Sequence, residues 1–328
     1  MKTKTILVTR KFPESGIQLL EQRGFRLSLW DRDRPMTQEE LIAEAKKHNS
    51  LFCTLTDRID RNFLNQCSHL EIISQFAVGF DNIDVKCATE LGIPIGFTPD
   101  AMSEATADIA FGLMIAVARK MFFMHKTISR GQWGSFNPTG HLGIELKNRT
   151  LGIFGLGRIG LKMAERCKNA YNMKIIYHNR SRSTRAEQET GACHVSFDEL
   201  LARSDVLSVH CILSPETRHI FNKAAFRKMK DSAIFINTAR GPVHNEKDLI
   251  QAVKNREILG AGLDVTDPEP MSPESELLEM ENVCVLPHIG SATIEARNQM
   301  SMLAAENIIG FYENGRPVHV VNPEVFDS

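Results

Sequence analysis

Three polar residues that could act together in catalysis follow three consecutive apolar stretches in the last third of the chain. Arg240 follows the run SAIFINTA, Glu269 follows GAGLDVTDP, and His288 follows VCVLP. An arginine can bind a carboxylate through two hydrogen bonds and polarise a neighbouring carbonyl. A histidine can donate a proton, and a carboxylate bonded to its ring would orient the ring and favour its protonated form. This combination predicts proton transfer to a substrate that carries both a carboxylate and a carbonyl.

Each of the three residues also has a simpler structural explanation. Arg240 could be a surface charge and Glu269 a helix-capping residue. His288 could be a structural histidine ahead of a helix that Ser291 or Thr293 would cap. In a doubly wound parallel sheet, however, ligands bind outside the carboxyl ends of the strands. Three such residues at successive strand ends therefore predict one shared site.

A glycine-rich turn lies upstream, in the segment TLGIFGLGRIGLKMAERC. Gly155, Gly157 and Gly160 follow a predicted strand and open a predicted helix, which is the context that the G-x-G-x-x-G pattern requires. Gly155 permits a tight turn, Gly157 lets the backbone approach a pyrophosphate, and Gly160 allows close packing of helix and strand. The helix N-terminus offers N–H groups to the phosphates. The segment predicts a dinucleotide cofactor.

The next predicted strand indicates which dinucleotide is bound. A site for NAD has an acidic residue at the end of this strand, which accepts from the ribose hydroxyls. Here the strand KIIYH continues into Asn179, Arg180, Ser181 and Arg182, with no carboxylate, and these four residues are predicted cofactor contacts. Two arginines and a serine can bind a 2′-phosphate through charge-assisted hydrogen bonds, although a solvated basic loop is the alternative. We predict that NADP(H) is preferred and that NAD(H) is possible.

Strand-like and helix-like segments alternate along most of the chain. Short loops join them, which is typical of parallel sheets covered by helices. We predict an α/β fold of two doubly wound parallel-sheet lobes, with a Rossmann cofactor domain inserted in a flavodoxin-like substrate domain. The cofactor domain is predicted over 101–291 and the substrate domain over 1–100 plus 292–328. One long helix is expected from Ser103 to Arg130, and a final helix over about 293–313 is expected to return to the first lobe.

Composition limits the possible partners. The 328 residues include 39 basic and 40 acidic ones, for a net charge of −1, and no charge block suggests nucleic acid or a membrane as partner. The seven cysteines are scattered, which favours reduced thiols in a cytoplasmic protein, and the N-terminal apolar run is too short for a signal peptide. Cys193-His194 and His210-Cys211 cannot easily grip one ion, because neighbouring strand residues point to opposite faces, so no metal is expected. The apolar segment 105–123 predicts a homodimer built on the cofactor lobes.

With these motifs the chain resembles the D-isomer-specific 2-hydroxyacid dehydrogenase family over essentially its whole length. The resemblance rests on GLGRIG (155–160), INTARG (236–241), GAGLDVTDPEP (260–270), LPHIGSAT (286–293) and AVGFDNID (77–84). It implies that Arg240, Glu269 and His288 are the catalytic set, and that Val78 and Gly79 bind the substrate carboxylate through their backbone amides. It also implies cofactor contacts by Thr106, Thr238 and Asp264, the last near the nicotinamide amide. Arg158, Ile159 and Gly290 complete the predicted cofactor contacts.

Within that family the chain looks most like the glyoxylate/hydroxypyruvate reductases, because no acidic residue follows Tyr177-His178 and the motif DVTDPEP is present. The implied reaction is NADPH-dependent reduction of glyoxylate or hydroxypyruvate to glycolate or D-glycerate. One alternative is a D-3-phosphoglycerate or other D-2-hydroxyacid dehydrogenase that uses NAD. A formate dehydrogenase is disfavoured because it would not need Glu269. A second alternative is a nucleotide-sensing corepressor of the same fold, against which the intact Arg–Glu–His set argues.

Overall fold

The computed structural model describes residues 4–327, in which parallel strands alternate with helices. The strands are β1 Thr5–Val8, β2 Arg26–Leu29, β3 Ser50–Cys53, β4 Ile72–Gln75, β5 Ile95–Gly96, β6 Thr150–Phe154, β7 Lys174–His178, β8 Cys193–His194, β9 Val206–Val209, β10 Ile234–Asn237, β11 Gly260–Leu263 and β12 Val283–Val285. The α-helices are α1 Glu14–Gln22, α2 Gln38–Ala45, α3 Arg61–Gln66, α4 Val85–Glu90, α5 Ser103–Ala118, α6 Met121–Ser129, α7 Arg158–Tyr171, α8 Thr184–Thr190, α9 Phe197–Arg203, α10 Lys223–Lys228, α11 Glu246–Lys254 and α12 Ile294–Asn314. Most strands are shorter than the apolar runs that predict them, whereas β7 coincides with the predicted strand KIIYH.

The chain forms two compact units, and the first unit contains the residues up to Met102 together with those from Ala292 onward. Its five strands are all parallel, in the order β2-β1-β3-β4-β5, which is the flavodoxin-like order. The C-terminal helix α12 belongs to this unit. Ser301 Oγ on α12 donates to the carbonyl of Pro13 at 2.8 Å, and a Cβ on Gly16 of α1 would collide with the Ser301 backbone. The absence of a side chain at Gly16 therefore lets α1 and α12 pack closely.

The second unit, Ser103–Ser291, contains a seven-stranded parallel sheet in the order β12-β11-β10-β9-β6-β7-β8. The strand order reverses at the neighbouring pair β6 and β9, which is the point where doubly wound sheets bind ligands. Successive strand residues face opposite cores: Ile234 and Ile236 lie in one apolar cluster, and Phe235 lies in the other. Helices therefore cover both faces of the sheet. The two sheets confirm the predicted doubly wound α/β class.

The expectation of one helix from Ser103 to Arg130 is wrong, because the structure has α5 and α6 in its place. Lys120 adopts a left-handed conformation, with φ of +53°, and ends the regular helical path without proline or glycine. Tertiary contacts account for the break: Lys120 forms an ion pair of 2.8 Å with Glu281, and Arg130 pairs with Glu279. These contacts attach α6 to the segment around β12. Nowhere in residues 4–327 is a helix both long enough and apolar enough to cross a membrane.

Candidate functional site

The glycine-rich turn connects the central strand β6 to helix α7. Gly155 has φ of +94°, and a Cβ there would lie 2.7 Å from the backbone nitrogen of Cys211. A Cβ on Gly160 would lie 2.8 Å from the carbonyl oxygen of Gly155. At Gly157, by contrast, a Cβ would meet no atom of the described residues within 4 Å. Packing within the chain therefore requires glycine at Gly155 and Gly160, whereas glycine at Gly157 fits the close approach of a phosphate ligand.

Asn179, which follows β7, holds the glycine-rich turn in place. Its Oδ1 accepts from the Leu156 N–H at 2.7 Å, and its Nδ2 donates to the Leu156 carbonyl at 3.3 Å. Both ends of the amide are thus bonded to one residue of the turn. The sequence predicts a direct cofactor contact for Asn179, and the structure shows a contact of its side chain with the protein backbone. Asn179 therefore influences any ligand of the turn by fixing the backbone of the turn.

The basic segment after β7 contains an ion pair that the sequence analysis missed. Arg182 donates to both carboxylate oxygens of Glu187, at 3.1 Å and 2.8 Å, and the Tyr177 hydroxyl donates to the same carboxylate at 2.7 Å. The Arg182 and Tyr177 contacts lower the pKa of Glu187. Arg180 is exposed. The pKa of Glu216 is lowered mainly by a hydrogen bond from Ser214 and, to a smaller extent, by the charge of Arg180. The two arginines therefore differ, because the guanidinium of Arg182 is already bonded to a carboxylate on the first turn of α8.

Arg240 lies on a turn that begins where β10 ends, and the buried Asn237 organises this turn. The Asn237 side chain accepts from the Ala239 N–H at 2.9 Å and donates to the Arg240 carbonyl at 2.9 Å. Arg240 Nη1 also donates to the Ala239 carbonyl at 2.7 Å. Since Asn237 is fully buried, its hydrogen bonds are protected from water. The position of Arg240 is therefore set by the last residue of a central strand.

Glu269 and His288 lie after β11 and β12 and form a direct pair. His288 Nδ1 lies 2.6 Å from Glu269 Oε1, and the imidazole side chain keeps 28% of its surface exposed. Burial raises the pKa of Glu269, but the hydrogen bond and charge of His288 more than offset this, so that the pKa is lowered overall. The carboxylate is therefore the acceptor. With Nδ1 bonded to Glu269, the second ring nitrogen Nε2 is the one available to a substrate.

The backbone that carries His288 is held by a buried carboxylate. His288 has φ of +54°, a conformation that costs energy for a non-glycine residue and persists only where neighbouring contacts impose it. Asp264 provides those contacts: its two oxygens accept from the N–H groups of Ile289 and Gly290 at 2.8 Å and 2.7 Å. Thr106 Oγ1 donates to the Gly290 carbonyl at 3.2 Å. Thr106, Asp264 and Gly290 thus lie together, and within the protein they support the turn that carries His288.

His210, directly after β9, is a half-buried residue of this edge that the sequence did not assign to the site. Its Nε2 lies 2.8 Å from Ser208 Oγ, and its Nδ1 lies 3.5 Å from the hydroxyl of Thr238, a predicted cofactor contact. Burial lowers the pKa of His210 to about 4, so the ring is neutral near pH 7. The position of His210 at the carboxyl end of a strand is the sequence feature that could have assigned it to the site. In residues 4–327 no group of three or more His, Cys, Asp or Glu side chains could hold a metal ion.

The predicted carboxylate-binding residues Val78 and Gly79 lie in the first unit, on the loop after β4. The side chain of Gln75, the last residue of β4, donates to the Gly79 carbonyl at 2.6 Å. The Thr98 N–H donates to the Ala77 carbonyl at 2.9 Å. The loop is therefore fixed at two of its carbonyl groups.

Known proteins match this chain in both sequence and structure. The profile of the family "D-isomer specific 2-hydroxyacid dehydrogenase, NAD binding domain" matches residues 111–290. A glyoxylate reductase of Aeropyrum pernix is 42% identical over 330 residues, covering 99% of this chain and 98% of that protein. The crystal structure of a glyoxylate reductase from Paecilomyes thermophila superposes with a TM-score of 0.88 at 34% identity, covering 99% of this chain and 100% of the other.

A further solved structure is that of an NADPH-dependent glyoxylate/hydroxypyruvate reductase from Sinorhizobium meliloti in complex with NADP and malonate. It superposes with a TM-score of 0.85 at 30% identity, covering 98% of this chain and 97% of the other. The family profile spans more than half of this chain, and the relatives span nearly all of it. The family resemblance indicated by the motifs is thereby confirmed. The chain belongs to the D-isomer specific 2-hydroxyacid dehydrogenase family and is similar to its glyoxylate reductases.

Proposed function

We propose that this protein reduces a small 2-keto acid, glyoxylate or hydroxypyruvate, to the corresponding 2-hydroxy acid, with NADPH as coenzyme and His288 as proton donor. The observation that carries the proposal is the 2.6 Å contact between Glu269 and His288 at the end of adjacent strands. This contact orients the imidazole so that its second nitrogen faces away from the carboxylate partner. The relatives named glyoxylate reductase support the substrate class.

The residues present fit a nicotinamide dinucleotide. Gly155 and Gly160 are needed for packing within the chain, whereas a Cβ at Gly157 would meet no atom of the described residues within 4 Å, which leaves space for a phosphate at Gly157. Gly155, Gly157, Arg158, Ile159 and Gly160 would hold its phosphates. When bound, the nicotinamide supplies a hydride to the carbonyl carbon of the substrate. We further assign to the cofactor the contacts of Thr106, Thr238, Asp264 and Gly290, with Asp264 toward the nicotinamide amide.

The protein's own residues supply the proton and the orientation. His288 would give its Nε2 proton to the carbonyl oxygen as negative charge develops there, while Glu269 stabilises the imidazolium through Nδ1. Arg240 would bind the carboxylate and polarise the adjacent carbonyl. We also retain the backbone amides of Val78 and Gly79 as ligands of the carboxylate. The product is a 2-hydroxy acid, and His288 must be reprotonated from solvent before the next turnover.

The preference for NADPH rests on the segment after β7. No acidic residue follows His178 before the arginines, so nothing there would repel a 2′-phosphate at the position where NAD sites accept from ribose. Asn179, Arg180, Ser181 and Arg182 are the candidate contacts. Because Arg182 is paired with Glu187, we assign the larger contribution to Arg180. The Sinorhizobium meliloti relative, whose structure holds NADP, supports the same choice.

The proposal extends to the roles of the units and to assembly. We assign substrate binding to the first unit and cofactor binding to the second, and propose a homodimer. Segment 105–123, which motivated the dimer, is partly explained by its own unit, since α5 packs its apolar face against β10, β11 and α7. The exposed apolar side chains of Trp133, Phe136 and Leu142 give a stronger reason. All seven cysteines are free, as suits a reducing compartment such as the cytoplasm.

The test is a panel of 2-keto acids assayed with both NADPH and NADH, with His288→Ala as the matched inactive variant. We expect glyoxylate and hydroxypyruvate with NADPH to give the highest kcat/KM. Efficient oxidation of 3-phospho-D-glycerate or another hydroxy acid with NAD would instead favour the NAD-dependent alternative. Cofactor binding without turnover of any acid in the panel would favour the corepressor alternative.

A further inference from the structure

Two side-chain amides in the first unit, the buried Gln75 and the half-buried Asn82, form a closed pair that the proposed function does not yet explain. Gln75 Nε2 donates to Asn82 Oδ1 at 2.8 Å, and Asn82 Nδ2 donates to Gln75 Oε1 at 3.0 Å. Asn82 Nδ2 also donates to the backbone carbonyls of Thr54 and Asp57, at 3.2 Å and 2.8 Å. Gln75 is fully buried. The pair therefore joins Gln75 at the end of β4 to Asn82 at the end of the 76–82 loop. Through Asn82 it also contacts the loop after β3.

The same Gln75 amide controls one peptide group of that loop. Its Nε2 donates to the Gly79 carbonyl at 2.6 Å, so this carbonyl points inward toward the end of β4. In a trans peptide the carbonyl of one residue and the N–H of the next point in opposite directions. The N–H of Phe80 is therefore directed away from Gln75, toward the outer side of the loop.

The N–H groups of three consecutive loop residues are left for an external acceptor. Between residues 4 and 327, no protein atom accepts a hydrogen bond from the N–H of Val78, Gly79 or Phe80. Successive backbone N–H groups that lack protein acceptors form a site suited to an anion. A loop that is held by its carbonyl groups presents such N–H groups without first having to reorganise, which favours binding.

We propose that Gln75, together with Asn82, is a positioning residue for substrate binding, and that the N–H of Phe80 joins those of Val78 and Gly79 in binding the carboxylate of the 2-keto acid. This inference rests on the proposed function. Gln75 touches no substrate in this scheme. It acts through the Gly79–Phe80 peptide, whose orientation it fixes from inside the fold.

The kinetic test replaces Gln75 by methionine, which has a similar length and flexibility but cannot donate to Gly79 or Asn82. We expect Gln75→Met to raise KM for the keto acid by about tenfold to a hundredfold, which corresponds to about 1.4–2.8 kcal/mol. The kcat at saturation and the Kd for NADPH should change by less than about threefold, because the residues that donate the proton and bind the cofactor are untouched. For the neutral amide of the same keto acid, kcat/KM should change little, since that compound carries no carboxylate.

Asn322→Leu is the matched control. Asn322 is a buried amide of the same unit that bonds to Thr89, Ile93 and Ile95, away from the 76–82 loop. It should lower the melting temperature as Gln75→Met does, but leave KM for the keto acid unchanged. If Gln75→Met lowers the melting temperature and leaves KM at the parent value, Gln75 serves only the fold and the proposal is overturned.

A second measurement uses the parent protein and needs no variant to fold. Oxamate, which resembles a 2-keto acid in shape and charge, is titrated into the ¹⁵N-labelled protein with NADPH bound. The amide proton of Phe80 should shift downfield together with those of Val78 and Gly79. A saturable titration that moves Val78 and Gly79 but leaves Phe80 in place would refute the third donor. Parent enzyme that reduces no keto acid in the panel would overturn the proposed function instead, whereas the oxamate titration would still report on the loop.

Discussion

At the scale of single residues, His288 differs from a structural histidine in two respects. Its backbone is held in the left-handed region by the bonds that Asp264 accepts from Ile289 and Gly290, and its ring is oriented by Glu269. Conformations of this kind cluster at functional sites, where surrounding contacts impose them. The remaining ring nitrogen is consequently fixed in direction, as general acid catalysis requires.

We expect His288→Ala to lower kcat by about 10²–10⁴, the usual contribution of a positioned acid. The Kd for NADPH should stay near the parent value, because the phosphates are assigned to the turn at Gly155–Gly160. His125→Ala, on the exposed side of α6, is the control and should leave both quantities unchanged. Turnover, cofactor affinity and melting temperature are measured on one preparation. A folded His288→Ala enzyme with most of its activity would end the assignment.

A second prediction concerns pH. Burial raises the pKa of Glu269, but the hydrogen bond and charge of His288, with smaller contributions from Thr266 and Arg240, lower it overall. The carboxylate therefore stays ionised below the usual glutamate range, and the rate of reduction should fall only at acid pH, where protonation of Glu269 removes the acceptor that orients His288. Glu269→Gln has no ionisable group at this position, so kcat/KM should be lower throughout and this acid-side fall should be absent. The measurement is kcat/KM against pH for parent and variant, with Glu279→Gln as an exposed control. Superimposable profiles would contradict this account of Glu269.

A third prediction separates the two arginines after β7. Arg180→Ala should reduce the preference for NADPH over NADH more than Arg182→Ala does, because Arg182 is shared with Glu187. Each charge-assisted hydrogen bond lost to the 2′-phosphate is worth about 1.5–3 kcal/mol. The readout is the Kd of both coenzymes by fluorescence titration. Arg185→Ala, which removes an exposed arginine paired with Glu189 on the same segment, should have no effect. A parent enzyme that binds and uses NADH at least as well as NADPH would refute the preference.

At the scale of elements, buried polar residues at the ends of the central strands hold the turns that carry the candidate catalytic residues. The turn after β10 contains His244, a histidine that has no assigned role in the reaction. Asn237 Nδ2 donates to the Arg240 carbonyl and also to His244 Nδ1 at 3.0 Å. His244 Nδ1 must therefore accept, which requires a neutral ring. His244 is fully buried, and its Nε2 has no hydrogen-bond partner among the described residues.

The fourth prediction follows from the burial of His244. This burial lowers the pKa of His244 to about 3, with a smaller contribution from the charge of His219. The unfolded chain takes up a proton near the ordinary histidine pKa of about 6.5, whereas the folded protein does not. Stability is therefore unaffected by this group above about pH 6.5 and falls as pH drops from there toward about 3. The loss is at most about 1.4 kcal/mol per pH unit for each such histidine. His210, whose pKa is lowered to about 4, contributes in the same direction.

The measurement is the free energy of unfolding of the parent and His244→Gln between pH 7 and pH 4.5. The glutamine can still accept from Asn237 but takes up no proton in either state. We expect a shallower loss of stability with acidification in His244→Gln, whatever its stability at pH 7. The exposed His125→Gln is the control and should keep the parent slope. Equal slopes in all three proteins would show that His244 does not resist protonation in the fold.

At the scale of the whole molecule, the two most exposed large apolar side chains of the described residues, Phe136 and Trp133, lie shortly after α6, and the exposed Leu142 follows them. Trp133 is 79% exposed, Phe136 90% and Leu142 67%. Aromatic residues in such positions are typical of interfaces. We expect sedimentation equilibrium to give a dimer at micromolar concentration. The double variant Trp133→Ser and Phe136→Ser should shift the protein toward monomer, while Leu29→Ser, on an exposed position of β2, should not. A parent protein that sediments only as monomer would refute the dimer.

The sequence alone predicts the doubly wound class and the place of the site because both follow from local rules. Apolar runs of strand length alternate with helical patterns, and the carboxyl ends of parallel strands meet at one edge of a sheet. Glycine spacing predicts the β6–α7 turn because Gly155 and Gly160 have steric requirements that the chain itself imposes. The same reasoning brings Glu269 and His288 to adjacent strand ends, where the structure joins them directly.

Tertiary structure alone decided which polar side chains are already engaged and where a regular helix ends. The carboxylate of Glu187 reaches back to Arg182, and the break at Lys120 coincides with an ion pair to the distant Glu281. Neither contact leaves a trace in composition or periodicity, because a long side chain can bond to any partner that packing brings within reach. The inward carbonyl of Gly79 is likewise set by Gln75. Sequence determined the direction of the elements and the types of group at their ends, and packing determined the partner of each group.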